Sequence, residues 1–105
     1  MQPYPPYTYV WEFIVRDGVN AEFEKLYGPE GDWVKLFRLG TGYLKTELMR
    51  DQANPQRYLT LDYWQSYDQY LKFKREFGAE YASLDAKCEG LTCEEREIGE
   101  FSINS

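Results

Sequence analysis

The chain has 105 residues, a length that fits one domain. Its formal charge of −6 at pH 7 argues against nucleic acid or an anionic membrane as a partner, because phosphate binding needs clustered lysine and arginine. The chain contains no histidine, which removes imidazole general bases, Ser-His and Cys-His nucleophile pairs, and the usual haem and zinc ligands. Any catalysis must therefore use carboxylates, tyrosines, lysines or the substrate itself, and we expect no metal or other cofactor.

The two cysteines, Cys88 and Cys93, form no zinc pattern and no C-x-x-C redox motif, so we interpret them as free thiols, with a disulfide as the alternative. No apolar run reaches transmembrane length, and the first ten residues lack the basic and apolar regions of a signal peptide. We therefore expect a cytoplasmic protein without a membrane partner. Residues 1–6 are predicted to be a loose, proline-rich tail, and residues 7–105 to form a single domain.

The first predicted strand covers about residues 7–16 and opens with YTYVWEFIV. Its odd positions are wholly aromatic or β-branched, whereas its even positions include the carboxylate of Glu12. Because the side chains of a strand alternate between two faces, the odd positions are predicted to face the helices. Two short helices should follow, the first capped by Asn20 and the second by Asp32, with Gly28-Pro29 between them.

Two further strands are predicted at residues 43–50 and 57–64, separated by the turn-forming sequence RDQANPQR. Ser66 and Gln69 form a capping box, and the apolar spacing after it predicts one long helix that bends near Gly78. The sequence REIGEFSI then predicts a last strand. This order gives an α+β fold of the ferredoxin-like βαββαβ type, with one face of its antiparallel sheet covered by helices.

The uncovered sheet face is expected to carry apolar side chains, which a monomer would expose to water. We therefore predict a homodimer formed by two such faces. The side chains assigned to the uncovered face are Val10, Ile14, Tyr43, Tyr58, Trp64 and Phe101. Four residues, Val10, Glu12, Ile14 and Trp64, are predicted to lie in the dimer interface. Glu12 is either a salt-bridged interface carboxylate or a base with a raised pKa.

The aromatic content is high, with 10 tyrosines, 6 phenylalanines and 3 tryptophans. Some of these rings are predicted to line a ligand pocket between sheet and helices. The candidates are Trp11, Trp33, Phe37, Tyr63, Phe77 and Tyr81. The alternative is a filled aromatic core, because apolar residues at strand and helix spacing are usually packing residues. No catalytic residue is assigned from the sequence.

The chain resembles the antibiotic biosynthesis monooxygenase-like family of the dimeric α/β barrel superfamily. The resemblance lies in the segments YVWEFIVRDGVNAEFEKLYGPEGDWVKLF, GYLKTELMRD, RYLTLDYWQSYDQYLKF, EYASLDAKCEGLT and REIGEF. It implies a ferredoxin-like protomer, two sheets closed into a dimeric barrel, and a pocket between each sheet and its own helices. It also implies oxidation of an aromatic compound by dioxygen without metal or flavin. Haem degradation, known among relatives, is not expected because the histidine is absent.

Two functions follow as hypotheses. The first is a cofactor-independent monooxygenase that acts on a small or polycyclic phenol, since an electron-rich phenolate can itself reduce dioxygen. The second is a non-catalytic homodimer of the same fold that binds a small molecule or has a structural role. Oxygen uptake with a panel of phenols distinguishes the two.

Overall fold

A computed structural model describes residues 6–102. Within that range the chain forms four strands, four α-helices and one short 3-10 turn. Their order is β1 (Tyr7–Val15), α1 (Asn20–Tyr27), α2 (Asp32–Phe37), β2 (Tyr43–Arg50), β3 (Arg57–Trp64), α3 (Tyr67–Glu76), α4 (Gly78–Cys88), the 3-10 turn (Glu89–Leu91) and β4 (Thr92–Ser102). The predicted tail, residues 1–6, lies outside the described residues except for Pro6, and so does the end of the predicted last strand.

The four strands form one antiparallel sheet in the order β2-β3-β1-β4. The first strand therefore lies in the interior, and both of its neighbours come from distant parts of the sequence. This is the predicted ferredoxin-like arrangement, with α2 as an additional helix in the first crossover. The helices lie on one face of the sheet, and we call the opposite face the open face.

Aromatic side chains fill the space between the sheet and the helices. The odd residues of β1 face the helices as predicted, since Phe13 packs on Phe23 and Tyr27 at ring-centroid distances of 5.4 and 5.0 Å. Further along the strand, Tyr7 packs on Tyr70 at 5.3 Å. Because each buried aromatic side chain removes a large apolar area from water, this layer supplies much of the driving force for folding.

The helix boundaries differ from the prediction at several points. Asn20 and Asp32 are the first residues of α1 and α2 instead of their caps, and the Asn20 amide donates to the carbonyl of Pro55 and the hydroxyl of Tyr58. Ser66 does cap α3, because its hydroxyl accepts a hydrogen bond from the backbone N–H of Gln69.

The predicted long helix is divided into α3 and α4 at Phe77, whose backbone angles (φ −117°, ψ 25°) leave the helical region. The backbone N–H of Phe77 still bonds to the carbonyl of Phe73, and that of Tyr81 to the carbonyl of Phe77. The chain therefore bends there while these two backbone hydrogen bonds still span the junction, one residue before the predicted position.

The side chains of β3 lie on the opposite faces from those predicted. Cross-strand pairing places Trp64 opposite Tyr7 and Tyr58 opposite Phe13, on the helix-covered face. Trp64 is fully buried, with its ring 5.1 Å from that of Phe73. The assignment of Trp64 to the dimer interface is therefore wrong. Both parities of β3 carry bulky apolar residues, so alternation alone did not distinguish its two faces.

A bulge in β2 moves a second aromatic residue to the helix-covered face. The pairing between β2 and β3 shifts between Tyr43 and Lys45, which places Tyr43 opposite Trp64. The ring centroids of Tyr43 and Trp64 lie 5.3 Å apart. Tyr43, like Tyr58, therefore belongs to the core and not to the open face.

The open face carries an apolar centre between charged groups. Val10 lies opposite Leu61, and Glu12 lies opposite Leu59. The apolar residues of the open face are Val10, Ile14, Met49, Leu59, Leu61 and Phe101. Two of them are strongly exposed, Met49 at 48% and Phe101 at 50%. None of the helices between residues 6 and 102 is long and apolar enough to span a membrane.

Candidate functional site

A cavity of about 280 Å³ lies between the sheet and the helices. All four strands and all four helices contribute to its lining. Its floor is formed by Tyr9, Trp11, Phe13, Thr46, Thr60, Asp62 and Glu95 from the strands. Its roof is formed by Tyr27, Trp33, Phe37, Tyr70, Lys74, Tyr81 and Asp85 from the helices. The cavity is therefore mainly aromatic, with a few polar groups among the rings, as small-molecule sites commonly are.

Four of the six predicted ligand-binding residues line this cavity. Trp11 lies on the floor, and Trp33, Phe37 and Tyr81 form part of the roof. The roof rings contact one another, since Trp33 meets Tyr81 edge-on at 4.9 Å and lies 5.8 Å from Phe37. The short helix α2 thus places two rings over the centre of the sheet.

The other two predicted ligand residues, Tyr63 and Phe77, are not among the lining residues. Tyr63 is on the open face, where its hydroxyl donates to Glu47 at 2.8 Å and the Lys45 ammonium lies 4.9 Å from its ring. Phe77 lies at the bend between α3 and α4 and stacks on Phe73. The prediction for Tyr63 failed because the two faces of β3 are the reverse of those predicted. The prediction for Phe77 failed because the helix bends at that residue.

The predicted interface residues Val10, Glu12 and Ile14 do lie on the open face, opposite the cavity. Glu12 accepts hydrogen bonds from the guanidinium groups of Arg57 and Arg96. These bonds, that from Arg57 foremost, hold the pKa of Glu12 below its ordinary value. Glu12 is therefore an ion-paired carboxylate and not a base with a raised pKa.

The sequence interpretation missed the polar residues of the cavity floor, of which Asp62 is the most informative. Asp62 lies opposite Tyr9 on β1 and Thr46 on β2, so it occupies the middle of the sheet beneath the helices. Burial among apolar groups disfavours the charged carboxylate and raises the pKa of Asp62 to about 7. This side chain can therefore both accept and return a proton near neutral pH.

A chain of hydroxyl groups holds the Asp62 carboxyl in place. The Thr46 hydroxyl donates to Asp62 at 2.7 Å, and the hydroxyl groups of Thr46 and Tyr43 are also 2.7 Å apart. The bond from Thr46 favours the charged carboxylate and so opposes the effect of burial. Because the burial effect is the larger, the carboxyl keeps its raised pKa.

The tyrosines around the cavity remain protonated at neutral pH. Burial is the main cause that raises the pKa of Tyr27, Tyr70 and Tyr81 above the ordinary tyrosine value. Their hydroxyl groups therefore keep a proton that they can donate in a hydrogen bond. The Trp33 indole N–H also has no hydrogen-bond partner among residues 6–102. Across the same range, no group of three or more cysteine, aspartate or glutamate side chains is arranged to hold a metal ion.

The raised pKa of Asp62 predicts a pH-dependent contribution to stability. Between the unfolded pKa near 4 and the folded pKa of about 7, the folded state binds the proton more tightly, so rising pH lowers the free energy of unfolding. Asp62→Asn removes the ionisable group and therefore this loss of stability with rising pH. In denaturant unfolding, the free energy of unfolding of the variant should rise relative to that of wild type by about 2–4 kcal/mol between pH 4 and pH 8. Asp17→Asn, in an exposed turn, is the control, and an Asp62→Asn difference that does not change with pH would contradict the assignment.

Comparison with protein-family models finds no match to this sequence, and neither does comparison with curated proteins. Comparison with solved structures finds clear similarity. SnoaB, a cofactor-independent oxygenase from Streptomyces nogalater, is 20% identical, with 96% of this chain and 95% of SnoaB covered and a TM-score of 0.76. A protein from Bordetella bronchiseptica, provisionally assigned as an antibiotic biosynthesis monooxygenase, is 17% identical, with coverage of 96% and 99% and a TM-score of 0.73.

The same fold also occurs in a protein that is not described as an oxygenase. A nipsnap family protein of unknown function from Agrobacterium tumefaciens is 10% identical to this chain, with coverage of 97% and 91% and a TM-score of 0.70. Similarity at these identities concerns the fold, which hosts more than one function. The chain therefore has the fold of the antibiotic biosynthesis monooxygenase-like proteins.

Proposed function

We propose that this protein is a cofactor-independent monooxygenase that oxidises a small phenolic aromatic compound in the cavity between sheet and helices. One observation carries the proposal, namely a carboxyl group, Asp62, whose pKa is about 7 on the floor of an aromatic cavity. The fold shared with SnoaB, described as a cofactor-independent oxygenase, supports the reaction class.

The cavity favours a compact, planar ligand. Its volume of about 280 Å³ is just below the range usual for small-molecule sites, roughly 300–1,000 Å³. Trp11 on the floor and Trp33 and Phe37 on the roof present ring faces and edges to such a ligand. Aromatic walls also exclude water, which protects reactive oxygen intermediates from side reactions.

The reaction would begin with transfer of the phenolic proton to the Asp62 carboxylate. The resulting phenolate gives one electron to dioxygen, and the superoxide formed adds to a ring carbon as a peroxide. The proton at that carbon passes to the outer peroxide oxygen as the O–O bond breaks, which leaves a carbonyl group and releases hydroxide. The hydroxide released takes the proton from Asp62 and leaves as water. The substrate loses two hydrogen atoms and gains one oxygen atom of dioxygen, and the other oxygen atom is reduced to water.

This scheme predicts oxygen uptake with phenols such as 1-naphthol, which would give 1,4-naphthoquinone and water. Asp62→Asn should lower kcat about 10²–10⁴-fold, the usual effect of losing a general base, while phenol binding remains. An oxygen electrode combined with product absorbance measures the rate, and Asp17→Asn is the control. Ligand-induced stabilisation without oxygen uptake would favour a non-catalytic binding protein. Full activity in Asp62→Asn would refute the assigned base.

We also propose that the chain is a homodimer joined through its open face. The reason is the apolar centre of that face, where Leu59 and Leu61 are partly exposed and Met49 and Phe101 are half exposed. The arginines paired with Glu12 neutralise the charge at one side of the apolar centre. Packing two such faces together would remove this apolar area from water.

Multi-angle light scattering should therefore give twice the chain mass at micromolar concentration. Leu61→Glu should shift the protein to monomer, because the new carboxylate lies in the centre of the open face beside Glu47 on β2. Leu39→Glu is the matched control, since Leu39 is 62% exposed in the turn after α2, outside the sheet. A wild-type monomer, or a Leu61→Glu dimer of unchanged affinity, would refute this interface.

A further inference from the structure

Lys74 is the only basic residue that lines the cavity among the residues described. It lies in the last turn of α3, and its ammonium nitrogen is 3.6 Å from the centroid of the Tyr81 ring on α4. Burial disfavours its charged form and lowers its pKa, while the negative charge of Asp85 acts in the opposite direction. A partly desolvated cation therefore forms part of the roof of an otherwise aromatic site.

No carboxylate lies within 4.0 Å of the Lys74 ammonium among residues 6–102. Lys45, Lys72 and Lys87 each form an ion pair with an acidic side chain, whereas Lys25 and Lys35 form none within the described range but do not line the cavity. Apart from its contact with the Tyr81 ring, Lys74 faces the cavity without an anionic partner. Such a cation is well placed to bind an anion that enters the cavity.

Three acidic residues also line the cavity, and their negative charges oppose the positive charge of Lys74. Asp85 and Glu95 are exposed, so water screens their charges. Asp62 is less exposed than these two, and with a pKa of about 7 its carboxyl group is mostly protonated at pH 6. Lys74 therefore provides the least screened charge in the cavity at mildly acidic pH.

We infer that Lys74 binds the carboxylate of a hydroxylated aromatic acid whose phenolic hydroxyl lies against Asp62. The two groups lie on opposite walls, Lys74 in the roof and Asp62 in the floor, so a rigid ring system would span the space between them. This inference rests on the proposed function and narrows its substrate class from phenols in general to phenolic acids. Lys74 then determines specificity, whereas Asp62 acts in the reaction.

The test compares three ligands that share one ring system, 2-naphthol, 6-hydroxy-2-naphthoate and 6-(aminomethyl)-2-naphthol. Isothermal titration calorimetry at pH 6 measures their affinities for the full chain. We expect the carboxylate to bind wild type at least about tenfold more tightly than 2-naphthol, as a charge-assisted hydrogen bond would provide. Lys74→Met should remove this preference and leave 2-naphthol binding nearly unchanged, while Lys74→Arg should retain most of it.

Lys72→Met is the matched control, because Lys72 lies on the same helix but pairs with Glu76 outside the cavity lining. It should preserve the preference for the carboxylate. Equal wild-type affinity for 2-naphthol and its carboxylate, tighter binding of the amine, or a preference that survives Lys74→Met would each overturn the role of Lys74. In all three cases phenol binding would persist and the proposed function would stand. If none of the three ligands bound, the proposed aromatic site itself would fail.

Discussion

The antiparallel register between β1 and β3 is the constraint on which the rest of the structure depends. It pairs each odd residue of β1 with an even residue of β3, so that Tyr9 and Asp62 share the helix-covered face. A shift by one residue would move Asp62 to the open face and place Tyr63 beneath the helices, because neighbouring side chains in a strand point to opposite faces. The site and the open face are thus two consequences of the same pairing.

Within this register, aromatic packing and polar chemistry are combined in one layer. The rings on either side of the cavity bury apolar area and stabilise the fold, while Thr46, Thr60 and Asp62 interrupt them at the centre of the sheet. Removal from water stabilises the packed rings but destabilises the charged form of Asp62. This loss of hydration is what raises the pKa of Asp62 to about 7. A purely apolar filling would be more stable, and polar residues at such positions commonly indicate a functional site.

The order of the elements was enough to predict the ferredoxin-like fold, and the apolar odd positions of β1 correctly placed Trp11 beneath the helices. The faces of β3 could not be predicted, because Leu59 and Leu61 on one parity look as suitable for a core as Tyr58 and Trp64 on the other. The polar pair of Thr60 and Asp62 made the true core parity look like the exposed one. The polar residues of the site therefore led to the wrong assignment of the faces of β3. In addition, the bulge between Tyr43 and Lys45 places Tyr43 on the face opposite to the one predicted.

The proposed function requires that the space around Trp11 is a ligand site and not an imperfectly filled core. Trp11→Ala tests it most directly when the free energy of unfolding and the stabilisation by an aromatic ligand are measured together. In a packed core this substitution costs about 3–5 kcal/mol. In a ligand site the cost should be well below that range, and the stabilisation that a phenolic compound gives the wild type should be lost. A cost within the packed-core range, with no phenolic compound stabilising the wild type, would contradict the proposed function.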